Sequence, residues 1–265
     1  MNNIGLEKLN GILNVAVIND GVVTIGTDIP EGKIAYGGKP LSKKLRQLLH
    51  GQWRAVFKKL ELPVKPDIYL PNHLCQAANA FQQSQYDESY IIVANALGEW
   101  EGVSIWQGWY ENGRACYSKI YTKKYPYSLG LMYSAVTQYL GYEPNKDEGI
   151  VMKLSESGTA RFNITYPIRE KLWSGSYHKG CEDLRKQLIG YSKEDIAASV
   201  QSVLELELVG IKNKIPRGVQ ICFGGGVSYN TLAAKYVSRD VFIPKYAHSA
   251  ALGAAAFLYG KKFKV

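Results

Sequence analysis

A run of three glycines is one segment whose residue types and spacing suggest chemistry. Gly224, Gly225 and Gly226 follow the apolar run VQICF and precede the residues VSYN. Glycines let a backbone approach a phosphate or a ribose closely, and a helix N-terminus offers unpaired N–H groups to an anion. The same triplet is also typical of a tight turn between a strand and a helix, so by itself it leaves both interpretations open.

A second segment of interest is the run NHLCQAANAF at residues 72–81. Its alanines and phenylalanine predict a buried helix, yet Asn72, Gln76 and Asn79 place amide groups near the helix start. Residues four apart lie on one face of a helix, so Asn72 and Gln76 are expected to point the same way. The segment therefore raises the question of why polar groups stand where the pattern requires apolar packing.

Length and composition indicate a globular protein. The 265 residues are 46% hydrophobic and 21% charged, which is enough to bury a substantial core. No stretch approaches ~18 consecutive apolar residues, so a membrane span is not expected. The start, MNNIGLEKLNG, lacks the basic and apolar regions of a signal peptide, which favours a cytoplasmic location.

The four cysteines and the net charge exclude few classes of function. Cys75, Cys116, Cys181 and Cys222 stand far apart without a CxxC pair, which fits neither a disulfide framework nor a cysteine zinc site. The formal charge of +9 favours acidic partners, nucleic acid among them. The basic residues come in scattered doublets, however, which are more typical of solvated helix faces than of a nucleic-acid groove.

The order of predicted elements repeats along the chain. Three short strands joined by glycine turns, a helix at 43–60, a strand at 67–70 and the helix from residue 72 form the first half. Three further strands between 90 and 121, a helix at 128–141, a strand at 219–223 and a last helix form the second half. We therefore predict an α/β protein with the duplicated, actin-like ATPase fold, with lobes at 1–88 and 89–265 and an irregular insertion at 142–190.

Several segments resemble the O-carbamoyltransferase family, which includes nodulation-factor and antibiotic carbamoyltransferases. They are VANALGEWEGVSIW at 93–106, ICFGGGVSYN at 221–230 and VFIPKYAHSAALGAAA at 241–256, with further similarity at 125–154 and 195–205. The family's catalytic domain is related to the tRNA threonylcarbamoyl-adenosine transferase. The resemblance implies a domain that passes a carbamoyl group from carbamoyl-adenylate to a hydroxyl.

The resemblance also implies a metal site whose ligands this chain lacks. The family binds its metal through two histidines of a His-His-x-x-His run and two aspartates. The corresponding positions hold Asn72, Gln76, Asn95 and His248. Amide side chains are poor ligands for transition metals, so we expect specific metal binding to be lost.

Further family positions are altered as well. The histidine and the acid of the family's first turn fall on Asn10 and Ile12, and a family lysine falls on Ile150. The remaining candidates for catalysis are His248, His73 and Glu99, although each histidine is better explained as a satisfied, partly buried structural residue. The candidates for binding an adenine nucleotide are Gly224, Gly225, Gly226, Asn230, Ser128 and Gly130.

These losses predict a degenerate transferase domain that pairs, as a heterodimer or heterotetramer, with a full-length carbamoyltransferase. An active, metal-independent O-carbamoyltransferase is the alternative, and a homodimer or a nucleic-acid partner also remains open. The family's second domain, which makes carbamoyl-adenylate, has no counterpart after the last predicted helix, so activated carbamoyl is expected to come from a partner.

Overall fold

The computed structural model describes residues 1–9, 12–38, 41–49, 52–59 and 62–265, which form eleven strands and eight α-helices. The strands are β1 (Asn3–Leu9), β2 (Ile12–Asn19), β3 (Val22–Gly26), β4 (Lys33–Gly37), β5 (Leu41–Leu49), β6 (Gln52–Lys59), β7 (Ile68–Leu70), β8 (Glu88–Gly98), β9 (Glu101–Glu111), β10 (Arg114–Lys124) and β11 (Ile221–Gly224). The helices are α1 (Asn72–Ser84), α2 (Leu129–Tyr139), α3 (Glu148–Leu154), α4 (Phe162–Ser174), α5 (Arg185–Leu188), α6 (Lys193–Lys212), α7 (Thr231–Ala234) and α8 (Ala250–Tyr259).

Two mixed sheets of matching topology organise the described chain. The first has the order β3-β2-β1-β4-β7 and the second β10-β9-β8-β11, which Phe242 extends through a parallel bridge to Cys222. In each sheet three antiparallel strands are followed by strands that pair in parallel. The repeated order agrees with the duplication predicted from the sequence.

The helix predicted at 43–60 is wrong. The described residues of this segment form the antiparallel strands β5 and β6, paired from Leu41 with Lys59 to Leu49 with Gln52. Glycine inside a helix is destabilising, and Gly51 falls in the middle of the predicted one. Aromatic and β-branched residues such as Trp53 and Val56 favour a strand. The strand β4 was also missed.

The insertion predicted as irregular at 142–190 is mostly helical. It contains α3, α4 and α5 with short 3₁₀ turns between them. Ile164, Ile168 and Leu172 of α4 are buried in the main core beside α6. Their spacing of four residues is a helical pattern. Glycines, charges and Pro167, which lies inside α4, obscured that pattern in the sequence.

The helices α1 and α8 bring the two sheets together. Helix α8 packs on β1, β2 and β4 of the first sheet and also on α1, although it lies within the predicted second lobe in sequence. A Cβ added at Gly253 would lie 1.9 Å from the Cys75 carbonyl oxygen, so glycine is what permits this close crossing. Among the described helices, none combines the length and apolar character needed to cross a membrane.

Candidate functional site

The amides of α1 bind an irregular backbone segment, residues 245–248, which precedes α8. The hydrogen bonds run from Gln76 Nε2 to His248 O (2.8 Å), from Asn79 Nδ2 to Tyr246 O (3.0 Å) and from Gln83 Nε2 to Lys245 O (3.2 Å). This segment contains Tyr246 in the left-handed region with φ of 54°. Its carbonyl groups lie outside any sheet ladder. Tyr246 O and Ala247 O accept from the backbone N–H groups of Ser249 and Gly225, and the α1 amides supply the remaining donors. Partners in the fold therefore explain three of the polar positions of this helix, Gln76, Asn79 and Gln83.

Gln76 is also the centre of a chain of amide hydrogen bonds that joins four segments. Its Oε1 accepts a hydrogen bond from Asn95 Nδ2 of β8 at 2.6 Å. The Oδ1 of Asn95 in turn accepts from the backbone N–H of Gly226, in the glycine turn, at 2.9 Å. Gln76 and Asn95 are 3% and 7% exposed, so little water competes for these bonds. We call Gln76 and Asn95, with these bonds, the amide bridge.

The amide bridge lies at the positions where the resemblance implies a metal, and its residues do not fit one. The side-chain oxygens of Gln76 and Asn95 already accept hydrogen bonds, and neither residue carries negative charge. Asn72 lies one turn earlier on α1, beside Gly98 rather than in the bridge. Among the described residues, no group of three or more His, Cys, Asp or Glu side chains is placed to hold a metal ion.

His73 is a buried residue rather than an accessible base. Its Nδ1 lies 2.7 Å from Ser104 Oγ, which also accepts a hydrogen bond from Trp106 Nε1 at 2.8 Å. Its Nε2 is buried against Gly98 and has no hydrogen-bond partner in the described part of the chain. Burial lowers the pKa of His73 to about 4, which the nearby Glu101 carboxylate only partly opposes. His73 is therefore neutral at neutral pH.

The buried, neutral state of His73 predicts acid sensitivity. The folded pKa of about 4 lies below the ordinary value of 6.5, so the unfolded chain binds more protons between these values. The free energy of unfolding should consequently fall by about 2 kcal/mol as the pH drops from 6.5 to 5. Urea unfolding at the two pH values measures the loss, which His73→Gln should largely remove and His178→Gln, at an exposed position, should leave. An unchanged loss in His73→Gln would contradict this assignment.

His248 presents its ring to solvent, beside the amide bridge. Its Nδ1 lies 2.9 Å from the Tyr229 hydroxyl, and both residues are exposed. Desolvation lowers the pKa of His248 and raises the pKa of Tyr229, so both are neutral at neutral pH. A neutral imidazole bonded to a phenol is able to accept or pass on a proton. Tyr229 was not anticipated from the sequence, where it is only the third residue after the glycines.

Glu99 shares its surroundings with Glu7, a second acid that sequence reasoning missed. Glu7 Oε2 accepts hydrogen bonds from the N–H groups of Ala250 (3.0 Å) and Ala251 (3.4 Å) in the first turn of α8. Burial raises the pKa of Glu7. Burial also raises the pKa of Tyr36, and the charges of Glu7 and Glu99 raise it further, so both acids interact electrostatically with this hydroxyl. The available signal was that Glu7 is the only acid in the strand NIGLEKL.

The glycine turn packs closely on the end of β8. Gly225 has φ of 87°, and a Cβ there would lie 2.3 Å from the Ala94 carbonyl oxygen. Its N–H donates to Ala247 O, while the N–H of Gly226 donates to Asn95. Gly224 is buried at the end of β11. The turn thus requires glycine for packing, and nucleotide binding by its backbone stays a prediction.

The other residues predicted to bind nucleotide have structural partners. Ser128 caps α2, where its Oγ accepts from Leu131 N at 3.1 Å. A Cβ at Gly130 would lie 2.4 Å from Ala96 N, so this glycine permits α2 to approach β8. Asn230 caps α7 and exchanges two hydrogen bonds with Gln201. These contacts account for the three residue types without a ligand.

The other altered positions among the described residues contribute no hydrogen bond to the amide bridge. Ile150 is half exposed on α3 and takes part in no polar interaction of the site. Ile12 begins β2. Asn10, which precedes it in the family's first turn, lies outside the described residues. The described chain therefore brings Gln76, Asn95 and the His248 backbone together, with Asn72 one turn away.

The chain is similar to proteins of one known family. A family model described as carbamoyltransferase N-terminus matches residues 31–190. An uncharacterized protein of Synechocystis is 28% identical over 215 residues, which are 69% of this chain and 33% of that protein. Nodulation protein NolNO of Sinorhizobium fredii is 26% identical over 223 residues, 72% of this chain and 31% of that protein. The chain thus spans about a third of the length of these curated relatives.

Solved structures share the architecture. Component A of the Acidaminococcus fermentans (R)-2-hydroxyglutaryl-CoA dehydratase superposes with a TM-score of 0.58 at 15% identity, covering 98% of this chain and 97% of that one. The activator of the Clostridium difficile 2-hydroxyisocaproyl-CoA dehydratase, with bound ADPNP, gives 0.56 at 12% identity, covering 98% and 94%. Both have the actin-like ATPase fold, which confirms the predicted fold.

Proposed function

Because this chain belongs to the carbamoyltransferase family, we propose that it keeps the family fold without the family chemistry and acts as a non-catalytic partner subunit of an active O-carbamoyltransferase. The observation that carries the proposal is the amide bridge between Gln76 and Asn95. Where the family resemblance implies histidine and aspartate, this chain has neutral side chains that bind one another and the backbone.

The chemistry of these donors supports the proposal. A divalent cation needs imidazole, thiolate or carboxylate ligands, and a carboxylate also offsets its charge. Neither Gln76 nor Asn95 supplies such a group, and each already uses its side-chain oxygen. Binding a metal would therefore break two buried hydrogen bonds and leave the ion without compensating charge. A fold that lacks metal ligands is better suited to binding a partner protein than to polarising a carbamoyl group.

The partner that this role requires is a second member of the same family. It would carry the intact His-His-x-x-His run and the aspartates, together with the domain that forms carbamoyl-adenylate. Homologous domains readily inherit one another's association surfaces after duplication. The proposed complex modifies a hydroxyl group, and both subunits share the cytoplasm.

Gentle affinity purification of the tagged chain from its own cells, followed by mass spectrometry, tests the subunit role. We expect a carbamoyltransferase with intact metal ligands to copurify in near-stoichiometric amount. Reconstitution of the two purified proteins should then change the transfer rate or the stability of the partner. A chain that copurifies with no such enzyme, or only with copies of itself, would show that the subunit role is wrong.

The exposed pair of His248 and Tyr229 favours one second candidate, an active and metal-independent O-carbamoyltransferase. In that case His248 would take the proton of the acceptor hydroxyl, with Tyr229 orienting its ring. The test supplies carbamoyl-adenylate and a hydroxyl acceptor to the pure chain and to His248→Ala and Tyr229→Phe. Transfer by the pure chain that falls at least ~100-fold in His248→Ala would establish this candidate and exclude the non-catalytic role.

A further inference from the structure

The outer face of α4 carries three exposed aromatic rings in one stripe. Phe162, Tyr166 and Trp173 are 75%, 57% and 56% exposed. With about 100° between successive residues, spacings of four and seven place all three on the same side of a helix. The opposite side is the buried one, formed by Ile164, Ile168 and Leu172. We call the three rings the aromatic stripe.

The rings of the aromatic stripe are held in place by their neighbours. Phe162 and Tyr166 stack with centroids 5.6 Å apart and an interplanar angle of 28°. Trp173 Nε1 donates to the buried Glu207 carboxylate at 2.9 Å, and Lys123 Nζ lies over the indole, 2.8 Å from its centroid. Side chains ordered before docking lose less entropy on binding. Exposed aromatic groups with contacts of this kind are typical anchors of protein interfaces.

Apart from Lys123, the basic residues named around the aromatic stripe are paired with acids, in contrast to the net positive charge of the chain. Each of three basic residues is paired with an acid from a neighbouring element: Arg161 with Asp195, Arg169 with Glu207 and Lys171 with Asp183. The chain carries a formal charge of +9, which opposes contact between most surfaces of two copies. The α4 face is a place where two copies can meet without facing excess positive charge.

We propose that the aromatic stripe is the interface of a homodimer, with a second copy of the chain packed on it about a two-fold axis. Antiparallel packing of the two α4 helices would place Phe162 of each copy near Trp173 of the other, as an isologous contact requires. The three rings expose roughly 400 Å² per copy, given about 150–250 Å² for an aromatic side chain. With the polar rim, the pair reaches about 1,000–1,200 Å², near the lower bound of specific interfaces.

Sedimentation velocity on the purified chain tests this interface. We expect a monomer–dimer equilibrium between about 1 and about 100 µM, the affinity range of a small interface. The variant Phe162→Glu/Tyr166→Glu should be monomeric throughout, since it replaces two apolar contacts of each copy with carboxylates that would have to be desolvated in the interface. Val22→Glu/Ile25→Glu is the matched control, because both side chains are exposed on β3 and the change in charge is the same. It should dimerise as the unaltered chain does.

The competing outcomes are distinct. A monomeric unaltered chain at about 100 µM overturns the proposal, as does a dimer that survives Phe162→Glu/Tyr166→Glu. Loss of the dimer in the Val22→Glu/Ile25→Glu control would show that the change in net charge causes dissociation, and this result would also overturn the proposal. If the double glutamate variant is poorly folded by circular dichroism, Phe162→Ser/Tyr166→Ser replaces it with the same expectation. The amide bridge is untouched in all these variants, so the result stands apart from the proposed subunit role.

Discussion

The triple substitution Asn72→His, Gln76→His and Asn95→Asp is expected to give a chain that binds about one equivalent of zinc or iron, while the unaltered chain binds less than ~0.1. Histidines at 72 and 76 would lie one turn apart on the same face of α1. Position 95 is already in contact with position 76, at 2.6 Å between their side chains. His248, whose carbonyl oxygen accepts a hydrogen bond from Gln76, lies in the segment before α8 that packs beside these positions. The substitution therefore supplies imidazole and carboxylate where only amides stand.

Two measurements make this expectation specific. Elemental analysis after dialysis gives the stoichiometry, and thermal unfolding with and without added metal shows whether the ion stabilises the fold. The control Asn79→His/Gln83→His has the same spacing of four residues on α1 but no position equivalent to Asn95, so it should retain little metal. One equivalent of metal in the unaltered chain would contradict the amide bridge as a metal-free arrangement.

The duplicated fold was predictable because its signals are local. The Asp20-Gly21 turn adopts φ values of 48° and 82°, which few other residue pairs tolerate, and β2 and β3 pair on either side of it. Ser192 caps α6 by accepting from Asp195 N, as the spacing of these residues predicts. The prediction for the 43–60 segment failed for the opposite reason. Its apolar residues fit a helical period, whereas Gly51 disfavours a helix and the aromatic residues favour strands.

The residue types of the candidate site were predictable from the sequence, but their hydrogen-bond partners were not. The sequence identifies Asn72, Gln76 and Asn79 as unusual, because amides are rare in buried positions without partners, and the family resemblance adds Asn95. The partners themselves lie far away in the chain, with His248 172 residues after Gln76, and no local pattern reports such a contact. Glu7 and Tyr229 were missed for the same reason, since their importance arises from α8 and from His248. Tertiary hydrogen bonds, rather than the residue types alone, determine what this site does.

Replacing Gln76 with leucine is expected to lower the free energy of unfolding by about 2–5 kcal/mol, because it leaves one buried and one partly buried polar group without partners. These are the His248 carbonyl oxygen and the Asn95 amide N–H, each worth about 1–3 kcal/mol when unsatisfied. Urea unfolding measures the change, and Gln107→Leu, which removes an exposed hydrogen bond to Glu88, should cost less than ~0.5 kcal/mol.

The double variant Gln76→Leu/Asn95→Leu separates the amide bridge from two independent packing effects. If the two residues of the bridge act as a unit, the second substitution should lower the free energy of unfolding much less in the double variant than it does alone. The expected coupling energy is about 1–3 kcal/mol. Additive losses would mean that Gln76 and Asn95 act separately, and the amide bridge would then be no substitute for a metal link. A strong coupling would instead show that hydrogen bonds hold together α1, β8, the glycine turn and the segment before α8. A metal ion links segments in the same way where histidines and an aspartate converge.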